Sequence, residues 1–278
     1  VLFLPRQFHV GVVENQSEGH VRWAMGLFPL YLLLINLFVY PIAAGGLLLG
    51  YGPEQADTFV LRLPLDHGNP WLALLVFIGG FSAAMAMILI SAMTMATMIS
   101  NHLLLPLVDW IPQLAVLERH LLQARWVAVA GFILMGYWFE LLVGEHFRLA
   151  NIGLISFAAV LQLGPAIVGG LFWQGGNKHG ALLGMLAGFA VWAHTQLVPV
   201  FVATGWLSPS IMAAGPLDLD WLKPHALFGL GGLDPMAHTV FWSLAFNLGL
   251  YILGSLWLEP SQESQSRAEA FVGDLSGA

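Results

Sequence analysis

Cysteine is absent from all 278 residues, which excludes disulfides, thiolate metal sites and a cysteine nucleophile. Charge is nearly as scarce. Charged residues make up 9% of the chain, against about 25% in an ordinary soluble domain. The net charge is −7 and no stretch forms a basic block, which argues against a nucleic-acid partner. Metal-ligand spacings and a nucleophile elbow are missing too. Gly229, Gly231 and Gly232 cluster, but without the lysine and the strand–helix setting of a phosphate cradle. No enzyme and no cofactor are expected from this chain.

Apolar sequence is what the chain has in excess. Mean hydropathy is +0.77 and 58% of residues are hydrophobic, which defines an all-α membrane protein whose main partner is the lipid bilayer. Six spans are predicted, at Met25–Leu49, Pro70–Asn101, Gln123–Gly144, Asn151–Trp173, His179–Thr204 and Pro235–Leu258. Val1–Arg22 and residues 50–69 read as polar loops, and His102–Leu122 as an interfacial segment. Residues 1–258 form the transmembrane domain and 259–278 a polar cytoplasmic linker. No signal peptide is expected at Val1, and the chain reads as a portion of something longer. Lysine and arginine set the orientation. With the N-terminus inside, Arg6, Arg22, Arg119, Arg125, Lys178 and Arg267 are cytoplasmic, whereas Arg62, Arg148 and Lys223 lie outside.

The second span organises the rest. Pro70–Asn101 contains no Asp, Glu, Lys, Arg or His. At 100° per residue, Gly79, Ser82, Ala83, Ala86, Thr94, Thr97 and Ser100 share one face. Such a face either packs closely on a neighbouring helix or lines an ion or substrate pathway. Within the other spans, Gln162 precedes Gly164-Pro165, and a helix broken there frees carbonyls able to hold a cation. Gly180, Gly184 and Gly188 repeat the GxxxG spacing of close helix contact. His194 is a histidine either bonded to a carbonyl or lining a polar cavity. Glu140 reads as an interfacial anchor. Trp71, Trp110, Trp173, Trp206 and Trp257 fall where aromatic belts belong.

Three stretches together resemble the solute:sodium symporter family. They are LPRQFHV with the following span ending YPIAAGG, the helix GGFSAAMAMILISAMTMATMISN, and LGPAIVGGLFWQGGNKHGALLGMLAG. LPRQFHVGVVEN and QSRAEAFVGDL, with Arg267, Ala268, Phe271 and Val272 opening a connector, resemble the branch in which a symporter-like module precedes a sensor histidine kinase. The resemblance implies a partial LeuT-type inverted-repeat bundle, with core helices seven to ten plus two accessory spans. It implies a bacterial inner membrane location with both ends of this fragment cytoplasmic. The implied partners are the missing N-terminal helices, a C-terminal signalling domain and a small organic solute, an amino acid in particular.

The candidate pathway residues, from the residues themselves and from the resemblance together, are Ser82, Ala83, Ala86, Met87, Thr94, Gln162, Gly164, Pro165 and His194. The family's second sodium site takes an Ala, a Ser and a Thr from the equivalent of the second span, at positions matching Ala83, Ala86 and Met87. Ala86 and Met87 offer a methyl and a thioether in place of two hydroxyls, a poor exchange for a hard cation. Sodium is therefore not expected to bind there as in the family. The expected function is a solute transport and sensing module working by alternating access. The alternative is a free-standing sodium- or proton-coupled symporter.

Overall fold

The computed structural model describes residues 3–110, 120–143 and 149–258, all helix and turn with no strand among them. Six helices are long and apolar enough to cross a membrane, so the chain is a multi-pass membrane protein. Parts of three sequence expectations fall outside the described residues: 111–119 of the interfacial segment, 145–148 of the turn expected at 145–150, and the connector from 259 onward. The chain divides into two compact units, the first ending at Leu141 and the second starting at Leu142.

In the first unit, α1 runs Glu18–Leu48. It starts before the expected Met25 because Ser17 caps it, its Oγ accepting from the Gly19 amide at 3.3 Å. Pro29 and Pro41 lie inside it, and Asn36 satisfies its own amide by donating to the Leu32 carbonyl at 2.8 Å. That local bond is what an amide at membrane depth requires.

The two expected loops are not loops. Pro5–Phe8 is a helical turn that runs into a π turn at His9–Val13, and this segment lies against the second span. Residues 50–69 contain a 3₁₀ turn, Pro53–Thr58, and the short helix α2, Phe59–Asp66. The physical reason is one buried ring. Phe59 is 3% exposed and sits beneath Gly46, where a Cβ would run into it. Tyr51 Oη donates to Asp66 Oδ2 at 2.6 Å and closes the hairpin.

The second span, α3, covers Pro70–Ile99. Asn69 caps it by accepting from the Leu72 amide at 3.2 Å, and Pro70 takes the first helical position, where its missing N–H costs nothing. It does not stop at Asn101. A π turn at Ser100–Leu104 leads into Leu105–Trp110, so the apolar run Pro70–Val108 is 39 residues long. The helix α4, Leu121–Val143, completes this unit.

The second unit opens with α5, Leu149–Leu161, and α6, Gly164–Phe172, which are separated by the turn at Gln162 and Leu163. The break falls where Gly164-Pro165 placed it, because proline removes an amide donor and crowds the preceding turn. Then α7, Lys178–Trp192, passes through a π turn at Ala193–Leu197 into Val198–Ala203. The last span, α8, is Pro235–Trp257. Asp234 caps it, with Oδ1 accepting from Met236 at 2.9 Å and Ala237 at 3.2 Å.

The glycine stripe on α7 meets α8 directly. A Cβ on Gly180 would lie 2.6 Å from the Tyr251 carbonyl oxygen, and one on Gly184 would lie 2.6 Å from that of Asn247. Bare backbone is what lets the two helices approach this closely. The apolar windows of α1 and α8 differ sharply in burial, 0% against 33%. The last span sits in a packed bundle, whereas α1 is held chiefly by its hairpin end.

Candidate functional site

The helix break is a buried polar network in which Asn247 Oδ1 alone has no partner among the described residues. Gln162 is fully buried, at 0% exposure. Its Nε2 donates to Ser243 Oγ at 2.8 Å and to the Ala158 carbonyl at 3.1 Å. Asn247 Nδ2 donates to the Gln162 carbonyl at 2.7 Å and to Gln162 Oε1 at 3.1 Å. The carbonyl released by the break is thus capped by an amide from α8. Gly188 faces the same atoms, since a Cβ there would run into Gln162 Oε1. This corrects the expectation of free carbonyls between Gln162 and Pro165. The Gln162 groups are spent on joining α8 to the break, and the Leu163 carbonyl accepts from the Ile167 amide at 3.1 Å.

His194 lies in the π turn after α7, and its Nε2 bonds the Leu222 carbonyl oxygen at 2.7 Å. The ring fastens the long loop before α8 to the end of the fifth span. It does not line the nearby cavity of about 340 Å³, which Asn151, Gln196, His225 and Asp234 supply with polar groups. Partial burial holds the His225 imidazole below its ordinary value. Replacing His194 with alanine is expected to cost about 1 kcal/mol, one net hydrogen bond, which thermal unfolding of the variant and the parent checks.

The small-residue face of α3 is divided. Ser82, Ala83 and Ala86 are exposed, and nothing lies within 4 Å of a Cβ added to Gly79. Thr94 and Ser100 are buried. Among the described residues, no helix packs on the upper half of that face.

Met87 lies elsewhere. It lines a cavity of about 610 Å³ between α3 and α4, whose walls include Ile88, Met95, Phe132 and Gly136. Within those apolar walls stand Arg6, Ser91, Tyr137 and Glu140. Arg6 Nη1 donates to Ser91 Oγ at 3.3 Å. Its Nε is buried with no partner among the described residues. Counting Arg6 as a loop charge was therefore wrong, because its guanidinium rests against the lower half of a membrane-length helix. Ser91 precedes the end of α3 by about 12 Å at 1.5 Å per residue.

Of the residues singled out from sequence, the structure groups Gln162, Gly164 and Pro165 at the break. It leaves His194 apart in the π turn after α7 and puts Met87 alone in the Arg6 cavity. Arg6, Ser91, Ser243 and Asn247 were missed. An amide in the otherwise apolar run LAFNLGLY was the available signal for Asn247, since polar groups at membrane depth are expensive and kept for a reason. Comparison with known proteins found no matching family model, no matching curated protein and no matching solved structure.

Proposed function

We propose that this chain is the solute-handling membrane module of a larger bacterial inner-membrane protein, a transport or sensing unit placed ahead of a kinase. The carrying observation is the open cavity of about 610 Å³ between two membrane-length helices, lined by the half-buried Arg6 guanidinium and the exposed Glu140 carboxyl. Ionisable groups at that depth are costly, and the usual reason for them is a ligand or ion path. The resemblance to solute:sodium symporters adds the LeuT-type arrangement, alternating access, an amino-acid-like solute and both fragment ends in the cytoplasm. The broken helix α5–α6 suits such an arrangement, in which helix breaks sit near the membrane midplane.

The test is uptake of a labelled amino-acid panel by the complete protein in proteoliposomes, with and without sodium. Uptake is expected with little sodium dependence, because Ala86 and Met87 supply no hard oxygen. A steep sodium requirement that is lost on altering Ala86 or Met87 would favour the free-standing symporter instead.

A further inference from the structure

The cavity between α3 and α4 carries more than the word solute. Its walls are apolar except at two places. At one, Arg6 reaches Ser91 and keeps a buried Nε unpartnered among the described residues. At the other, Glu140 and Tyr137 line the same space. No ion pair to Arg6 is found among the described residues. A guanidinium in a low-dielectric wall without a counter-anion is poised for a carboxylate, which its planar donors fit. A simple anion would also meet the carboxyl of Glu140. An ammonium at that end would instead be attracted by it.

The spacing of the two groups follows from the helices. Arg125 donates to Asn101 at 3.2 Å and ties the start of α4 to the end of α3, so the pair runs antiparallel from that point. Counted from that junction, the Ser91 and Glu140 levels lie about 7 Å apart along the axis at 1.5 Å per residue. An extended chain advances about 1.2 Å per bond, from its per-residue reach, so about six bonds separate charges placed at the two levels. The cavity volume, about 610 Å³, is within the usual range for organic ligands, about 300–1,000 Å³.

We propose that this cavity binds a linear zwitterion, a carboxylate at Arg6 and Ser91 and an ammonium at Glu140, joined by an unbranched alkyl chain. The inference rests on reading the chain as a solute-handling module, for it assigns the class of that solute. The ω-amino acids are the simplest members of the class.

The test uses the complete protein, purified and reconstituted in nanodiscs, with 6-aminohexanoate, hexanoate and hexylamine as probes. The zwitterion is expected to bind at least tenfold more tightly than either half-molecule. Arg6→Gln should abolish its advantage over hexylamine, and Glu140→Gln its advantage over hexanoate. Gly136→Leu should remove binding of all three. Nothing lies within 4 Å of a Cβ at Gly136, so the added side chain can enter the cavity without displacing the backbone. If Arg6→Gln fails to fold, Ser91→Ala and Gly136→Leu carry the test. Equal binding of the three probes, or binding of the zwitterion unchanged by Gly136→Leu, overturns the assignment. Binding that follows the charged residues without any uptake would overturn the transport reading alone. Uptake of amino acids untouched by all four variants would overturn this assignment alone.

Discussion

Gly188→Leu is expected to destabilise the second unit by about 4 kcal/mol. A Cβ at Gly188 would run into Gln162 Oε1 and lie 2.7 Å from Asn247 Nδ2 and 2.9 Å from Asn247 Cβ. None of these atoms can swing aside cheaply. Gln162 is bonded to Ser243 and Ala158, and Asn247 holds the carbonyl at the helix break. Overpacking alone costs about 1–3 kcal/mol. Each buried acceptor that loses its partner adds about 1–3 kcal/mol. A combined loss of about 4 kcal/mol takes a large share of a stability of about 5–15 kcal/mol, lowering Tm by on the order of 10 °C at about 2–4 °C per kcal/mol. The matched control is Gly249→Ala on α8, where nothing lies within 4 Å of the new Cβ. Thermal unfolding of both variants in one detergent gives the comparison, and equal Tm values would mean that α7 and α8 do not meet at Gly188.

Asn177→Ala should be the second most damaging single change, at about 3 kcal/mol. Asn177 is 4% exposed, and beside the helical bond its carbonyl accepts from Ala181 it holds four more. Its Oδ1 caps α7 by accepting from Gly180 at 2.8 Å. Its Nδ2 donates to the carbonyls of Ser255 at 3.1 Å and Leu258 at 2.6 Å. Its own amide donates to Ser255 Oγ at 3.2 Å. Alanine keeps only the last of these. Losing the cap costs about 1 kcal/mol, and the two released carbonyls at the end of α8 add about 1 kcal/mol each. Asn177→Asp separates the parts. It retains the acceptor for the cap but turns an oxygen toward two carbonyl oxygens, so it should be at least as damaging as alanine. An aspartate variant as stable as the parent would show that the bonds to Ser255 and Leu258 contribute nothing. Measured in chemical unfolding curves, this pair of variants isolates the clamp from the cap.

The elements legible in the sequence were those with a local cause. Asn69-Pro70 and Asp234-Pro235 are an N-cap followed by a first-turn proline, and both helices start there. Gly164-Pro165 broke the fourth span where proline chemistry requires it. The spacing of Gly180, Gly184 and Gly188 announced a close helix contact, and the structure supplies α8 as the partner.

What escaped had a non-local cause. Residues 53–66 looked polar enough for a loop, yet Phe59 folds under Gly46 and winds them into helix. Arg6 looked like a loop charge, since nothing near it in sequence shows that Ser91, 85 positions away, receives its guanidinium. The π turns at Ser100–Leu104 and Ala193–Leu197 leave no mark in composition or period. Gln162 was visible as a polar residue beside a break, but its partners Ser243 and Asn247 lie on a helix some eighty residues later. Spacing along the chain gave the position of the break. Only packing could say that the freed carbonyl was already taken.

The uninterrupted run from Pro70 to Val108 has a mechanical consequence. At 1.5 Å per residue its 39 residues extend about 58 Å, roughly twice the thickness of the hydrocarbon layer. Such a rod acts as a lever: a small tilt where it borders the cavity becomes a larger sideways stroke at the Trp110 end. The wider coil at Ser100–Leu104 is the elbow at which that stroke would be either passed on or absorbed.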